Sequence, residues 1–163
     1  ARLLSMAQED KATVRLATLF QMTYPGAPSI YYGDEIGLPG ALDPDSRRGM
    51  PWEQAKWDSE LLDYFKGAIQ LRKNHAVLRH GGIKTVYAEG SVYAMARTGD
   101  DETLLIVLNV AESEQPITLT VDEYFGDDTA LHSFFGPKLG GVVQNGKITL
   151  TLPAREGVVI GTA

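Results

Sequence analysis

A carboxylate and a guanidinium spaced four residues apart, Asp43 and Arg47, form the part of this sequence best suited to binding a ligand. Both lie in a polar stretch without helical or strand periodicity, so their side chains can converge on one point. A carboxylate accepts hydrogen bonds and a planar guanidinium donates them in pairs, which together match the vicinal hydroxyls of a sugar. The two side chains could instead pair with each other and brace the loop, and the residue types fit both interpretations.

Aromatic and acidic side chains lie on either side of this pair. Tyr32 precedes it and Trp52 follows it, and either ring could stack on a sugar or simply fill a core. Trp57, beside a helix start, fits a packing role better. On an extended backbone Asp34 and Glu35 would point to opposite faces, so they cannot by themselves form the facing carboxylate pair of glycoside hydrolysis. One of them could contact a ligand, or they could act as a cap or a buried structural partner.

Other kinds of site find little support in the sequence. The histidines His75, His80 and His132 are isolated and there are no cysteines, so we expect no metal site. No phosphate loop, dinucleotide fingerprint or nucleophile elbow occurs, so we expect no cofactor. The net charge is −6 and no basic cluster exceeds Arg47-Arg48, which argues against nucleic acid and anionic membranes as partners. A neutral sugar suits this surface better.

The loop is framed by two predicted helices and one predicted strand. Apolar residues at helical spacing predict a helix over about 9–23, which Pro25-Gly26 ends. A short apolar run predicts a strand over 27–32, followed by a long loop and a second helix from Asp58 or Ser59 to about Asn74. Helix, strand, long loop and helix form half of a βα repeat. This order indicates a parallel sheet and the last βα portion of a (β/α)8 barrel.

Beyond Gly81-Gly82 the sequence changes to short β-rich runs separated by turn residues. We expect strands over residues 83–87, 92–97, 103–110, 117–121, 130–134, 142–143, 147–152 and 157–160. Asn145-Gly146 is a strong hairpin signal because both residues tolerate positive φ. So many short strands indicate an antiparallel β-sandwich. The predicted fold is therefore α+β, with the C-terminal portion of a barrel over 1–80 and a sandwich domain over 81–163.

Residues 23–37, TYPGAPSIYYGDEIG, closely resemble the eighth-strand motif of the α-amylase family of glycoside hydrolases. Residues 43–52, DPDSRRGMPW, resemble the neopullulanase, cyclomaltodextrinase and maltogenic amylase branch, and residues 71–79, LRKNHAVLR, look like the family's closing helix. The resemblance is tight over residues 1–82 and rests on position and strand pattern beyond them. It implies retaining hydrolysis of α-1,4 or α-1,6 bonds in maltooligosaccharides, cyclodextrins or pullulan. It also implies that the three catalytic carboxylic residues precede this region.

The resemblance therefore implies a chain without catalytic residues in which Asp43 and Arg47 bind glucose units, with Tyr32 and Trp52 beside them. The alternative is a non-catalytic carbohydrate-binding or structural sandwich. Binding by the sandwich would need exposed aromatic side chains there, for which the candidates are Tyr87, Tyr93, Tyr124, Phe125, Phe134 and Phe135.

The expected partners are an α-glucan oligosaccharide and either the remainder of the barrel or a second copy of the chain. A single barrel strand would leave unpaired edges and apolar faces that favour association. No signal peptide is visible, and no apolar run approaches the roughly 20 residues needed to cross a bilayer. The absence of cysteines and the family branch favour a cytoplasmic location over secretion.

Overall fold

The computed structural model describes all 163 residues and contains four α-helices, of which the two long ones confirm the sequence prediction. The helices are α1 Leu3–Met6, α2 Lys11–Thr23, α3 Ser59–Asn74 and α4 Val77–His80. The side chain of Asp10 caps α2 by accepting hydrogen bonds from the backbone amides of Ala12 and Thr13. The side chain of Asp58 caps α3 by accepting one from Leu61. None of the helices combines the length and the apolar composition that crossing a membrane requires.

Eight strands follow the helices, close to the eight predicted positions. They are β1 Gly82–Glu89, β2 Val92–Thr98, β3 Thr103–Asn109, β4 Gln115–Thr120, β5 Ala130–Phe135, β6 Gly140–Val142, β7 Lys147–Leu152 and β8 Glu156–Gly161. Six of them form one sheet in the order β1-β2-β3-β8-β5-β6, and β4 pairs with β7 in a second sheet. Every pairing is antiparallel.

The six-stranded sheet lies in the middle of three layers. One apolar core, which includes Leu105, Leu119 and Leu150, fills the space between the two sheets. A second core lies on the other face of the large sheet, where Leu19 and Leu71 of the helices join strand residues. Because both faces are covered, β3 is buried at six consecutive positions, whereas β7 alternates between exposed and buried. The helices and the sandwich therefore share a core.

Arg97 on β2 fixes the helical layer to the sheet. Its side chain is fully buried, and no carboxylate pairs with it. Its five N–H groups donate hydrogen bonds to five backbone carbonyls, those of Thr23, Val77, Leu78, Gly81 and Gly82. These acceptors come from the end of α2, from the single turn of α4 and from the start of β1, and all but the carbonyl of Val77 lack a partner within their helix. One guanidinium thus completes two helix ends and the turn into the sandwich.

The Asn145-Gly146 turn forms with the predicted positive φ values of 51° and 70°. Gln144 and Lys147 face each other across it in an isolated β-bridge. The strands on either side then separate, because β6 belongs to the large sheet and β7 to the small one. The dipeptide therefore makes the tight turn of a hairpin and carries the chain from one layer of the sandwich to the other.

The predicted strand over residues 27–32 is wrong for this chain, because those residues lie in no helix or strand. The predicted parallel sheet is also absent, since every strand pairing is antiparallel. A strand requires a neighbour whose backbone groups complete its hydrogen bonds, and no other segment lies beside residues 27–32 to supply them. The observed fold is a β-sandwich with helices packed on one face, without a barrel.

Candidate functional site

The predicted binding loop, residues 33–57, is held by hydrogen bonds at Gly40 and is mostly exposed to solvent after that residue. It contains three single turns of 3₁₀ helix, Asp34–Ile36, Asp45–Arg47 and Gln54–Lys56. The backbone amide of Arg2 donates to the carbonyl of Gly40 at 2.8 Å, and the amide of Gly40 donates to the hydroxyl of Ser5 at 3.0 Å. The first helix therefore holds the loop near its middle.

The guanidinium of Arg2 lies beneath two tyrosines at the start of the loop. It is 1% exposed, and its central carbon lies 4.7 Å and 4.5 Å from the ring centroids of Tyr31 and Tyr32. Its Nη1 donates to the carbonyl of Tyr32 at 2.5 Å and lies 3.6 Å from Oδ1 of Asp34. Burial raises the pKa of Asp34, and the nearby charge of Arg2 opposes that rise. Sequence reasoning missed Arg2, whose role depends on residues about thirty positions away.

Asp34 and Glu35 have the structural roles that sequence analysis left open as one alternative. They lie in a 3₁₀ turn and not on an extended strand. Asp34 faces Arg2, while Oε2 of Glu35 accepts a hydrogen bond from the backbone amide of Gly33 at 2.7 Å. Gly33 has a φ of +88°, which glycine adopts without strain. These acids therefore shape the entry to the loop.

A second acid and base pair, Asp45 and Arg48, braces the loop from within. Arg48 binds both carboxylate oxygens of Asp45, at 2.7 Å from Nε and 3.0 Å from Nη2. The same carboxylate accepts a hydrogen bond from the backbone amide of Ala41 at 2.7 Å. These contacts, of which the Arg48 hydrogen bond is the largest, lower the pKa of Asp45. Sequence reasoning did not single out this pair, although the three-residue spacing is its signal.

Asp43 and Arg47 form a separate pair that points into solvent. Nε of Arg47 lies 2.7 Å from Oδ1 of Asp43, and the two side chains are 73% and 64% exposed. Neither side chain makes a hydrogen bond to the loop backbone, in contrast to the carboxylate of Asp45. Asp45 and Arg48 already brace the loop. The outer pair, Asp43 and Arg47, therefore keeps most of its donors and acceptors free for other partners.

The two aromatic candidates have different surroundings. Tyr32 is 41% exposed, and its hydroxyl donates to the carbonyl of Arg48 at 2.9 Å, so it is attached to the loop that carries Asp43 and Arg47. The side chain of Trp52 is 80% exposed and shares no hydrogen bond, ion pair or ring contact with the other three candidates. Three of the four candidates are thus connected through the loop, and Trp52 lies open beyond them.

Trp57 acts in the structure of the loop. Its indole Nε1 donates to the carbonyl of Pro51 at 2.6 Å, which closes the end of the loop against the start of α3. This contact agrees with the packing role that its position in the sequence favours.

The sandwich offers less to a stacking ligand than its aromatic content suggests. Phe125 is buried in the core between the sheets, and Tyr87 and Tyr124 pack against that core. Among the six candidate rings of the sandwich, only Phe134 is strongly exposed, at 39%. A pair of exposed, coplanar rings on the sandwich is therefore absent.

The loop presents hydrogen-bonding and aromatic side chains to solvent, but its acids are poorly placed for acid–base catalysis. Each of Asp34, Asp43 and Asp45 faces an arginine, and Glu35 caps a turn. A retaining glycosidase needs two carboxyl groups about 5–5.5 Å apart across the scissile bond. No three side chains of histidine, aspartate or glutamate come together to hold a metal ion. Hydrogen bonding and stacking are the chemistry that this surface supports.

Comparison with known proteins finds a matching family and relatives of similar sequence. Residues 81–160 match the family described as "Alpha-amylase C-terminal domain". Neopullulanase 2 from Thermoactinomyces vulgaris is 39% identical over 161 residues, which cover 98% of this chain and 27% of that protein. A cyclomaltodextrinase from a Bacillus species is 46% identical over 111 residues, which cover 67% of this chain and 20% of that protein.

Solved structures agree with these sequence relatives. The crystal structure of an acarbose-soaked debranching enzyme from Nostoc punctiforme matches with a TM-score of 0.85 and 38% identity. The match covers 99% of this chain and 31% of that one. The first three curated relatives are much longer proteins, of which this chain spans between 8 and 27% of the length.

Proposed function

The chain belongs to the α-amylase family of glycoside hydrolases, and from this membership we propose that it forms the C-terminal part of an enzyme that hydrolyses α-glucans. In this proposal, residues 81–163 are the sandwich domain and residues 1–80 are the end of a catalytic (β/α)8 barrel. The substrates are maltooligosaccharides, cyclodextrins or pullulan, cleaved at α-1,4 or α-1,6 bonds with retention. The catalytic carboxylates come from outside these 163 residues.

The observation that carries the proposal is that the loop contains two pairs of an aspartate and an arginine, of which one is bonded to the loop and the other is exposed. Asp45 and Arg48 brace the loop, while Asp43 and Arg47 project from it, 64% and 73% exposed. An exposed ion pair contributes little to stability, so the outer pair has no strong structural role to explain it. A sugar with adjacent hydroxyls can donate to the carboxylate and accept from the guanidinium. Tyr32 and Trp52 would add apolar contact on either side.

A barrel portion also explains residues 27–32, which lie in no strand of this chain. Beside a neighbouring strand, their backbone groups would find the partners that pairing requires. The same segment lines an open hollow of about 330 Å³ with α3, where Ile30 and Tyr32 lie opposite Leu62, Phe65 and Ile69. The proposed occupant of this face is the remainder of the barrel or, in its absence, a second copy of the chain.

Calorimetric titration of maltotriose and β-cyclodextrin into the chain tests the binding role of the loop. We expect Asp43→Ala and Arg47→Ala each to lower affinity by about 1.5–3 kcal/mol, the usual contribution of a hydrogen bond to a charged group. Asp63→Ala is the matched control, because Asp63 forms an equally exposed pair with Lys66 on α3.

Binding that both loop variants leave unchanged would locate the sugar elsewhere and contradict the proposed role of Asp43 and Arg47. Absence of any binding by the unaltered chain would favour a structural sandwich. Sedimentation velocity addresses the barrel face: a monomer at all concentrations would argue against self-association through the hollow beside α3.

A further inference from the structure

Three aromatic rings meet at the seam between the end of α2 and the sandwich. Phe20 and Tyr24 lie one helical turn apart at the end of α2, with ring centroids separated by 5.0 Å and planes inclined by 34°. Tyr93 of β2 meets Phe20 edge-on at 6.2 Å. We refer to Phe20, Tyr24 and Tyr93 as the seam aromatics. None of them belongs to the proposed site in residues 33–57.

Two of the three seam aromatics are exposed, while Tyr93 is half-buried and packs against the core between the helices and the large sheet. Phe20 is 38% exposed and Tyr24 is 44% exposed, and neither contributes to any of the three apolar cores. Adjacent exposed rings form an apolar patch, and such patches often mark binding sites. They border a shallow hollow of about 210 Å³, which is lined by Phe20, Gln21, Tyr24, Pro25, Ala27 and Pro28.

The hollow has an uncharged lining, which favours a neutral ligand over an anion. No charged side chain lines it, although 22% of the residues in the chain are charged. Nucleic acid and other anions would need lysine or arginine there. Polar groups border the rings: Nε2 of Gln21 donates to the carbonyl of Ser29 at 2.7 Å, which leaves the amide oxygen able to accept. The hydroxyls of Tyr93 and Thr85 lie 3.3 Å apart, and either can donate to the other.

We propose that the seam aromatics form a second glucan-binding surface, separate from the loop that carries Asp43 and Arg47. The C–H face of a glucose ring packs on an aromatic ring through apolar contact, while its hydroxyls at the rim exchange hydrogen bonds with polar neighbours. The inference rests on the proposed function for the identity of the sugar, and on the geometry of the seam for its position.

Truncating these rings should leave the fold intact. Both side chains lie outside the cores, and the contacts of Tyr24 that stabilise the fold come from its backbone. Its amide donates to the carbonyl of Phe20, and its carbonyl accepts a hydrogen bond from Nη1 of Arg72. Phe20→Ala and Tyr24→Ala therefore remove ring surface without removing these bonds. Phe134→Ala is the matched control, because Phe134 is 39% exposed on β5 and lies outside the seam.

The test is a titration of the ¹⁵N-labelled chain with maltoheptaose, followed by amide chemical shifts. We expect two groups of shifts, one around Gln21, Tyr24 and Ala27, and one within residues 33–57. Tyr24→Ala should weaken binding at the seam by about tenfold, which corresponds to about 1.4 kcal/mol, and Tyr24→Trp should restore it. Phe134→Ala should change neither group.

The two proposals fail in different ways. Shifts confined to residues 33–57, or seam shifts that Phe20→Ala and Tyr24→Ala leave unchanged, would overturn the second surface and leave the loop intact. Seam shifts in the unaltered chain without any shifts within residues 33–57 would support the second surface and contradict the proposed role of the loop. If maltoheptaose causes no seam shifts but Tyr24→Ala abolishes association seen by sedimentation, the seam is a protein contact and the inference is wrong.

Discussion

Replacing Arg97 with methionine should be among the most destabilising single changes in this chain. The side chain is fully buried, and all five of its N–H groups donate to backbone carbonyls. Burial, and then the charge of Arg72, lower the pKa of Arg97, yet an arginine stays protonated in proteins. Methionine would keep much of the apolar stem and remove every donor. The loss of stability therefore measures the contribution of the five hydrogen bonds.

The structure sets the size of the effect. Each buried carbonyl left without a partner costs about 1–3 kcal/mol, but the carbonyl of Val77 would retain the amide of Gly81. The total cost is therefore less than five times the cost of one unpaired carbonyl. We expect Arg97→Met to lower the free energy of unfolding by about 3–5 kcal/mol, typical of a broken buried charge network. For a chain of this size, that loss corresponds to a decrease in Tm of about 6–20 °C. The stability of Arg97→Lys should lie between those of the unaltered chain and Arg97→Met, because an ammonium has only three donors, all on one nitrogen.

Urea denaturation followed by circular dichroism gives the free energy of unfolding for each variant. Lys84→Met is the matched control, since Lys84 pairs with Glu123 on the surface, where both side chains are about 60% exposed. We expect the control to change stability by less than about 1 kcal/mol. If Arg97→Met lost no more than Lys84→Met, the carbonyls would be satisfied without the guanidinium and this reasoning would be refuted.

Three further changes test other contacts. Asp10→Ala should cost about 1–2 kcal/mol at pH 7 as a lost helix cap. The hydroxyl of Thr13 is the main cause that lowers the pKa of Asp10 from 3.8, so this stabilisation exists above pH 3.8 and disappears as the pH falls through the lower folded value. Gly146→Ala should cost about 1–2 kcal/mol, because its φ is +70° and a Cβ would lie 2.8 Å from Asp122. Tyr64→Phe should stabilise the chain by up to about 1 kcal/mol, because the buried hydroxyl has no partner.

Each of these predictions has its own check by thermal or urea unfolding. Asp10→Ala and the unaltered chain should converge in stability at low pH, and a constant difference from pH 7 to pH 3 would contradict the cap. Gly49→Ala is the control for Gly146, since a Cβ there meets nothing within 4 Å. A destabilised Tyr64→Phe variant would show that the hydroxyl has a partner, because phenylalanine keeps the ring contact with Phe135.

Sequence periodicity predicted the parts of the fold that local rules control. The two long helices begin at Lys11 and Ser59, within two residues of prediction, because the capping acids Asp10 and Asp58 and the apolar stripes act over a single turn. Strand positions followed from alternation and turn residues, and the Asn145-Gly146 turn from its tolerance of positive φ. The candidate pair Asp43 and Arg47 was also visible, since four residues in one loop determine its geometry.

Features that depend on distant segments were not predictable from the same patterns. The strand expected over residues 27–32 failed because pairing requires a neighbour that local sequence does not supply. Sequence analysis singled out neither Arg2 nor Arg97, and both are buried by residues from elsewhere in the chain. The bracing role of Asp45 and Arg48 depends on the fold of the loop, which brings the amide of Ala41 to the same carboxylate.

Two buried arginines, Arg72 and Arg97, complete the carboxyl end of α2. The residue after α2, Tyr24, is extended and not left-handed, so the last carbonyls of this helix do not take part in a glycine-type C-cap. Nη1 of Arg72 instead donates to the carbonyl of Met22 at 2.7 Å, and Arg97 completes the set at Thr23. The partial negative charge of a helix end offsets the charge of a guanidinium, which explains how two arginines remain buried without carboxylates. Since Arg97 belongs to the sheet, the same bonds that end the helices also fix the helical layer on the sandwich.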